Sequence, residues 1–545
     1  MGRKLYFLWS DTDNLGNKVI YRRMKVVMKI CLINPPIQGK RMEGYEWSNN
    51  SYTMQHLGIG YIAGTLEANH YNIDIIECPG EDISVEELCL RLIRGQYDII
   101  GISTYFYNFI NVLRIIKKIR LKLSRSFLFL GGYLPTLCPE QVLEKAKEID
   151  CCVIGEGELT CLELVHAIEE GHDWKQISGI AYIEEKIMIK TSVREQINEL
   201  DSLPFPKRVI ISQRFVPMST SRGCYGMCNF CGVREFYEAC NINLMRFRSA
   251  ENVVAEIEYI KKQYNPKLFL FSDETFFSGS SNRREWLESF YKILNEKKLN
   301  IKFHALARAN DVIRQQDVIC RLKEVGLVNV FIGVESFVQR QLDFYKKRTK
   351  VNENVEAIRI LIENNIQISL GLMLLDPFTT LDEILENIKW LRNTRCYEFV
   401  DEKQEIFSID GPVIAIPGTD LYKYLEDNNL LVSNEIKYEF QDKQTIIFND
   451  IIEEWKKYVK PISKKFYLIK QAEYLGYNNI AEELRNQKNI IMELDLDFME
   501  EICWDIKNGS VTDGSYSHLF EQWVRKVQPI RNIFDKYKEF LSVYC

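Results

Sequence analysis

Short apolar runs alternate with longer stretches of helical spacing along the first third of the chain. The runs are KICLINPP, NIDIIEC, DIIGIST, FLFLGG and DCCVIGEGE. Between them, apolar residues recur every three or four positions, as at Leu57, Tyr61, Ile62 and Leu66, which predicts helices. Continuous apolar strands separated by helices are typical of a parallel sheet covered on both faces. The pattern therefore predicts a doubly wound α/β domain over residues 29–180.

The loops at the carboxyl ends of these strands carry glycines and hydroxyl side chains. Sheets of this kind bind ligands in the crevice beyond those ends, and glycine lets the backbone approach a ligand closely. Ordinary turn glycines are the alternative, and a dinucleotide is disfavoured because no Gly-x-Gly-x-x-Gly follows the first strand. The candidate ligand contacts are Ser103, Thr104, Tyr105, Gly131, Gly132, Tyr133, Gly155, Glu156 and Gly157.

A second alternating series follows a predicted hairpin and linker at residues 181–210. Six strand-like segments, from FVPMSTSRGC to QEIFSIDGPVIAIPGT, alternate with helical segments over residues 211–425. This order predicts a partial (β/α)6 barrel whose chemistry lies at the carboxyl ends of its strands.

The two ends of the chain have other patterns. Residues 1–28 show no clear period and are interpreted as an N-terminal extension. Residues 426–545 are helical and rich in aromatic residues, and we expect a packed helical domain with Pro529 kinking or breaking its last helix. A cofactor-binding aromatic stripe is the alternative there.

Composition narrows the class of protein. The chain has 545 residues, which is longer than a domain built around one hydrophobic core, so several domains are expected. Hydrophobic residues make up 46%, charged residues 27%, and the net charge is only −6, which favours neither nucleic acid nor a membrane surface as partner. No apolar run is long enough for a membrane span or signal peptide, so we expect a cytoplasmic protein whose 15 cysteines are mostly reduced.

Three cysteines lie within the nine residues GCYGMCNFC. Cys224, Cys228 and Cys231 are separated by three and two residues, in the loop after the first strand of the second series. Structural zinc takes four ligands, usually in pairs, and Cys240 lies outside the compact loop. An iron–sulfur cluster held by three cysteines would keep one iron open for another ligand. The spacing favours an iron–sulfur cluster, with zinc or buried structural cysteines as alternatives.

This loop resembles that of the radical S-adenosylmethionine (SAM) superfamily, which has a Cys-x3-Cys-x2-Cys loop with an aromatic residue before the last cysteine. The resemblance implies a 4Fe–4S cluster whose open iron binds SAM. The segments FSDETF, HALAR and FIGVES resemble those that contact SAM in the family. Helix capping by Glu335 and an internal ion pair of Arg308 are the alternatives. The implied SAM-binding residues are Phe230, Asp273, Glu274, Arg308, Gly333 and Glu335.

The region ahead of this loop is similar to the cobalamin-binding half of cobalamin-dependent radical SAM enzymes. INPP, HLGIGYIAGTL, GGYLPT and VIGEGE occur in the family's order, and Pro417, Gly418 and Thr419 resemble the segment that ends its barrel. The resemblance implies a Rossmann-like sheet that binds cobalamin through the strand-end residues named above. The loop NPPIQGKRMEGYEW has no histidine, and His56 is interpreted as structural, so we expect cobalt without a histidine lower ligand.

The resemblance implies a C-methyltransferase that moves a methyl group from SAM through methylcobalamin to an unactivated carbon of a peptide or natural product. Ring contraction, cyclisation or rearrangement without net methyl transfer is the alternative, and a cobalamin-binding regulator is a distant one. A flavodoxin or ferredoxin is the implied electron donor. The catalytic residues that touch the substrate are not predicted.

Overall fold

The computed structural model describes residues 4–12, 18–26, 28–37, 55–209, 215–240, 245–400, 411–432, 437–511 and 517–542. The chain divides into two compact units. The N-terminal unit comprises Met1–Gly223, Gly232–Arg248 and Ala255–Pro266, and the C-terminal unit comprises Cys224–Cys231, Ser249–Val254 and Lys267–Cys545.

The strands up to residue 247 are β1 (Lys4–Thr12), β2 (Lys18–Val26), β3 (Ile30–Asn34), β4 (Ile73–Glu77), β5 (Ile99–Ser103), β6 (Phe127–Gly131), β7 (Cys151–Val153), β8 (Ile180–Glu184), β9 (Ile187–Lys190), β10 (Phe215–Met218), β11 (Ser221–Arg222) and β12 (Arg246–Phe247). The helices up to residue 264 are α1 (Leu57–Ala68), α2 (Cys78–Glu81), α3 (Val85–Gly95), α4 (Phe109–Arg120), α5 (Tyr133–Leu137), α6 (Pro139–Lys145), α7 (Gly157–Glu170), α8 (Gly232–Glu238) and α9 (Ala250–Tyr264).

A seven-stranded sheet in the order β4-β3-β5-β6-β7-β8-β9 organises the N-terminal unit. Its first five strands are parallel, as the sequence predicts, because each apolar run is followed by a helix that returns the chain to the same edge. Along β3, Ile30 and Leu32 pack into one apolar cluster while Cys31 and Ile33 pack into another. The sheet is therefore covered on both faces.

Two hairpins differ from the sequence interpretation. The hairpin β8–β9 was expected in the linker, but it continues the sheet by pairing antiparallel to β7. Within residues 1–28, interpreted as an extension without a clear period, β1 and β2 form an antiparallel hairpin that pairs Lys4 with Val26. The hairpin β8–β9 is therefore confirmed but belongs to the sheet, whereas β1–β2 was missed because residues 1–28 show no clear period.

The strands of the C-terminal unit are β13 (Leu268–Phe271), β14 (Phe303–Arg308), β15 (Leu327–Glu335) and β16 (Gln367–Leu372). The helices are α10 (Ser281–Lys297), α11 (Ala309–Arg314), α12 (Gln316–Glu324), α13 (Gln339–Phe344), α14 (Val351–Glu363), α15 (Leu381–Thr394), α16 (Asp420–Asp427), α17 (Lys443–Ser463), α18 (Tyr467–Tyr474), α19 (Asn478–Lys507) and α20 (Ser517–Ser542).

These four strands are neighbours in a parallel sheet, in chain order, with helices between them, which confirms the predicted βα series. The predicted sixth strand, residues 404–419, begins within residues 401–410, which lie outside the described residues. On either side of that gap, Val400 pairs in parallel with Ile368, and Pro412 with Leu375. Both bridges run in the direction that a further parallel strand would take.

The C-terminal region is helical, as predicted. The Trp455 ring of α17 stacks on Phe498 of α19 at 4.3 Å between centroids, and its Nε1–H donates to the buried Asp495 at 2.7 Å. Pro529 was expected to kink or break the last helix, but α20 continues through it without a break. None of the helices in the described ranges is both long enough and apolar enough to cross a membrane.

Candidate functional site

The carboxyl edge of the N-terminal sheet brings three predicted loops together. The N–H of Thr104 donates to the carbonyl of Gly131 at 2.7 Å. The Thr136 hydroxyl donates to the carbonyl of Gly132 at 2.8 Å and accepts from the N–H of Gly155 at 3.0 Å. Gly132 has a φ of 101°, which favours glycine. The ends of β5, β6 and β7 are thus joined into one surface.

An aromatic layer lies at the same edge. Tyr105 stacks on Tyr107 at 5.1 Å and lies 5.6 Å from Tyr133, whose ring is in turn 4.9 Å from Phe236. Next to it, a Cβ added at Gly131 would meet no atom nearer than Val153 at 3.7 Å. An aromatic surface beside an uncrowded glycine fits the corrin ring of cobalamin.

His56 has both ring nitrogens in use. Nδ1 accepts from the N–H of Ile59 at 3.2 Å and so caps α1. In the neutral ring Nε2 then carries the proton, and it lies 3.0 Å from the Tyr105 hydroxyl and 3.1 Å from Ser103 Oγ. Burial lowers the pKa of His56 to about 4, so the ring is neutral at physiological pH. The structural role predicted for His56 is confirmed by its capping of α1.

Glu77, at the end of β4, was missed by the sequence analysis. Its carboxylate accepts from the backbone N–H of His56 at 2.9 Å and from the Asn34 side chain at 2.8 Å. Burial raises the pKa of Glu77 to about 7. Glu77 is the last residue of β4, and a single glutamate at a strand end has no distinguishing pattern in the sequence. It fixes the position of His56, and through it of Ser103 and Tyr105.

Glu156, a predicted cobalamin contact, lies in a buried charge network. Its carboxylate binds Arg222 at 3.0 Å and Arg246 at 2.7 Å, and Arg222 also binds Glu158 at 2.5 Å. Arg222 and Arg246 face each other across the β11–β12 pair, where two like charges repel each other. Glu156 and Glu158 neutralise them. A contact of Glu156 with cobalamin stays a prediction.

The cysteine loop is fixed by Asn229, between Cys228 and the predicted Phe230. The backbone N–H of Asn229 donates to the Tyr345 carbonyl at 3.1 Å, and its side chain donates to the Phe344 carbonyl at 2.7 Å. Its own carbonyl accepts from the N–H of Leu421 at 2.8 Å, two residues after the segment Pro417–Thr419. The Phe230 ring packs edge-on against Tyr345 at 5.6 Å. These contacts hold the loop that carries the three thiols.

Arg308 ends β14 and contacts this loop. Its Nη1 donates to Cys228 Sγ at 3.4 Å, its Nη2 donates to the carbonyl of Lys347, and its guanidinium lies 5.4 Å from the centre of the Tyr225 ring. The Tyr225 hydroxyl donates to Asp311 at 2.7 Å. A direct contact of Arg308 with SAM stays a prediction, and the internal carboxylate pair weighed as its alternative is not among its contacts in the described residues.

Glu335 and Lys347 form a buried ion pair at 2.6 Å. A Cβ at Gly333 would lie 2.7 Å from both charged groups, so any larger residue there would have to displace the ion pair. Glu335 has a φ of 64°, an unfavourable backbone conformation for a residue other than glycine, at an irregularity in the β15–β16 pairing. Lys347 was missed, because one lysine in the basic run KKRTK gives no sequence signal.

Asp273 and Glu274 have different environments. Asp273 is 1% exposed, and its charge acts on Arg283, whose pKa burial lowers to about 10. Glu274 is half-buried, and its charge acts on Cys224, whose pKa is raised mainly by burial of the thiol. Glu274 is therefore better placed than Asp273 to meet a ligand beside the cluster loop.

The residues present fit a 4Fe–4S cluster. In the described part of the chain no group of three or more His, Cys, Asp or Glu side chains converges to hold a single metal ion. A cubane cluster binds each cysteine through a different iron, so its ligands need not converge on one point. Cys224, Cys228 and Cys231 share one fixed loop, and Arg308 supplies a positive charge beside it.

Two family models match the chain. The B12 binding domain matches residues 49–165, and the Radical SAM superfamily matches residues 218–391. An uncharacterized methyltransferase of Pyrococcus horikoshii is 28% identical over 81% of this chain and 93% of its own. The anaerobic magnesium-protoporphyrin IX monomethyl ester cyclase of Rubrivivax gelatinosus is 28% identical over 56% of each chain.

Solved structures share the fold. The cobalamin-dependent SAM radical enzyme OxsB, with aqua-cobalamin and SAM bound, has a TM-score of 0.73 at 18% identity, covering 94% of this chain and 84% of its own. The radical SAM methyltransferase TsrM from Kitasatospora setae has a TM-score of 0.56 at 14% identity, covering 68% of this chain and 72% of its own. Together with the two family models, these findings confirm the resemblance noted in the sequence: the chain belongs to the cobalamin-dependent radical SAM enzymes, whose cofactors are a 4Fe–4S cluster, SAM and cobalamin.

Proposed function

We propose that this enzyme is a C-methyltransferase that moves a methyl group from SAM, by way of cobalamin, to an unactivated carbon. The observation that carries the proposal is His56: one ring nitrogen caps a helix and the other faces Ser103 and Tyr105. A histidine held in this way is not available to cobalt, and weak ligation of cobalt favours exchange of a methyl group. The methyltransferase name of the P. horikoshii relative supports the same activity.

The chain's own residues bind and orient the cofactors, while the bound cofactors supply radical formation and methyl carriage. Glu274 and Glu335 offer carboxylates for the SAM amine or ribose. Lys347 holds Glu335 in place, and Asn229 holds the loop that positions the cluster. At the N-terminal sheet, Tyr105 and Tyr133 offer an aromatic contact surface, and Gly131 leaves room beside it.

Assaying the products of SAM without a substrate tests the proposal. Anaerobically reconstituted enzyme with cobalamin, SAM and a chemical reductant should form both 5′-deoxyadenosine and S-adenosylhomocysteine. S-Adenosylhomocysteine reports loss of the SAM methyl group, and 5′-deoxyadenosine reports reductive cleavage. If S-adenosylhomocysteine is missing while 5′-deoxyadenosine forms, the methyltransferase proposal fails. With a competent substrate, label from the SAM methyl group should reach a carbon of the product.

Cyclisation or rearrangement without net methyl transfer is the second candidate. It is favoured by the cyclase name of the R. gelatinosus relative, which matches 56% of this chain. A cyclised or rearranged product that carries no label from the SAM methyl group would support it.

The proposal includes a small-molecule or peptide substrate, a flavodoxin or ferredoxin as electron donor, and a cytoplasmic location. All 14 cysteines that the structure describes are free, which fits a reducing compartment. The proposal also keeps the predicted order of domains. The cobalamin-binding sheet, predicted to end at residue 180, extends to the end of β9 at Lys190.

A further inference from the structure

We propose that Arg308 raises the reduction potential of the cluster by donating a hydrogen bond to the sulfur of Cys228, and that Gly226 keeps this contact open. The inference rests on the proposed cluster, and it assigns Arg308 a role at the cluster ligand in addition to any contact with SAM.

Three contacts fix the Arg308 guanidinium. Nη1 donates to Cys228 Sγ at 3.4 Å, within the range for a sulfur acceptor, and Nη2 donates to the Lys347 carbonyl. The Tyr225 ring, which belongs to the cysteine loop, lies 5.4 Å from the guanidinium carbon. Arg308 is 7% exposed, so its charge acts on the sulfur with little screening by water.

Gly226 lies between the first two cysteines and leaves space for the guanidinium. A Cβ at this position would lie 2.7 Å from Arg308 Nη1 and 3.2 Å from Cys224 Sγ. Gly226 is not among the glycines with positive φ, so alanine there would not be strained by a left-handed backbone. The glycine is needed there for the approach of Arg308, and alanine would push the guanidinium away from the thiols.

Reduction adds a negative charge to the cluster, and part of that charge lies on the cysteine sulfurs. A hydrogen bond to sulfur and a nearby buried cation both stabilise the reduced form, so they raise the potential. Lysine at position 308 keeps the charge but has no planar fork that reaches the sulfur and the Lys347 carbonyl together. We therefore expect R308K and G226A to shift the potential in the same direction, to more negative values.

The experiment is a redox titration followed by electron paramagnetic resonance, on reconstituted full-length protein without SAM or substrate. Iron content is measured first, so that failure of the cluster proposal is seen separately. Wild type is compared with R308K and G226A. Matched controls are R284K, on the exposed face of α10 and paired with Asp317, and G411A, where an added Cβ meets no atom within 4 Å.

More negative potentials in R308K and G226A, with unchanged potentials in both controls, support the inference. Unchanged potentials in R308K and G226A, with the cluster intact, overturn it and leave the methyltransferase proposal standing. If neither variant keeps its cluster, the contact is tested in wild-type protein that carries ¹⁵N-labelled arginine, by measuring hyperfine coupling to the reduced cluster. A ¹⁵N hyperfine coupling to the reduced cluster supports the contact, and its absence overturns the inference.

Discussion

Both units have residues with positive φ at the ends of their strands, but the residue types differ. At the N-terminal sheet, left-handed turns fall on glycines, with φ of 101° at Gly132 and 77° at Gly155. At the end of β15 the left-handed residue is Glu335, with φ of 64°. A left-handed conformation costs a residue other than glycine about 1–2 kcal/mol. At Glu335 this cost is offset by the side chain, whose carboxylate binds Lys347.

The two units also differ in how many partners their buried charged side chains have. In the N-terminal unit, Glu156 and Glu158 neutralise Arg222 and Arg246 within one network. Glu335, in the C-terminal unit, has a single cationic partner, Lys347, among the ion pairs of the described residues. The first network is thus a structural clamp. The second lies at a bulge next to a predicted cofactor position, where strained residues are commonly functional.

The largest effect is expected at the cysteine loop. Changing Cys224, Cys228 and Cys231 together to alanine should remove the cluster completely, from about four irons per chain to none, because three thiolates hold it. Iron analysis and visible absorbance measure this. C240A serves as the control, since Cys240 lies outside the loop and should leave the iron unchanged. Iron retained by the triple variant would show that the cluster lies elsewhere.

The next effect tests whether the N-terminal network is a structural clamp. E156Q leaves Arg222 and Arg246 facing each other with one carboxylate fewer, and breaking a buried ion pair costs about 3–5 kcal/mol. We expect a fall of this size in the free energy of unfolding, measured by urea denaturation. E163Q removes a half-exposed carboxylate on α7 and should leave stability unchanged. Equal stability of both variants would contradict the clamp.

A double variant separates strain from function at β15. E335G with K347M removes the left-handed glutamate and both buried charges together, so stability should stay level or rise. SAM affinity, measured by calorimetry, should fall about tenfold or more, as expected for loss of a charge-assisted hydrogen bond. K346M alters the adjacent lysine, half-exposed and paired with Asp420, and should bind SAM normally. Wild-type affinity in the double variant would remove Glu335 from the site.

The smallest effect distinguishes two glycines of the cobalamin surface. G155A places a Cβ 2.4 Å from Cys240 Sγ on a left-handed residue, so it should destabilise the protein by about 1 kcal/mol. G131A has room and should keep wild-type stability, measured by thermal unfolding. The larger variant G131L should bind cobalamin more weakly, measured by absorbance titration. Unchanged binding in G131L would place the corrin ring elsewhere.

Much of the fold could be predicted because apolar periodicity is local. The runs that became β3 to β7 are buried on both faces, and the helices between them leave only a parallel order. The hairpin β1–β2 and the pairing of the predicted hairpin β8–β9 with β7 were missed, because strand pairing depends on contacts that periodicity does not report. Pro529 was expected to disturb α20, but the helix remains continuous there.

The sequence by itself determined the cysteine triplet, the order of the strand-end loops and the family, because covalent spacing already encodes them. Tertiary structure alone decided which charges are neutralised. It paired Lys347 with Glu335, placed Glu156 against Arg246, and placed the Glu77 carboxylate at the backbone N–H of His56. These partners are 12, 90 and 21 residues apart in the chain. Ion pairs and buried hydrogen bonds depend on distance and desolvation in the folded state, and no local pattern in the sequence records either.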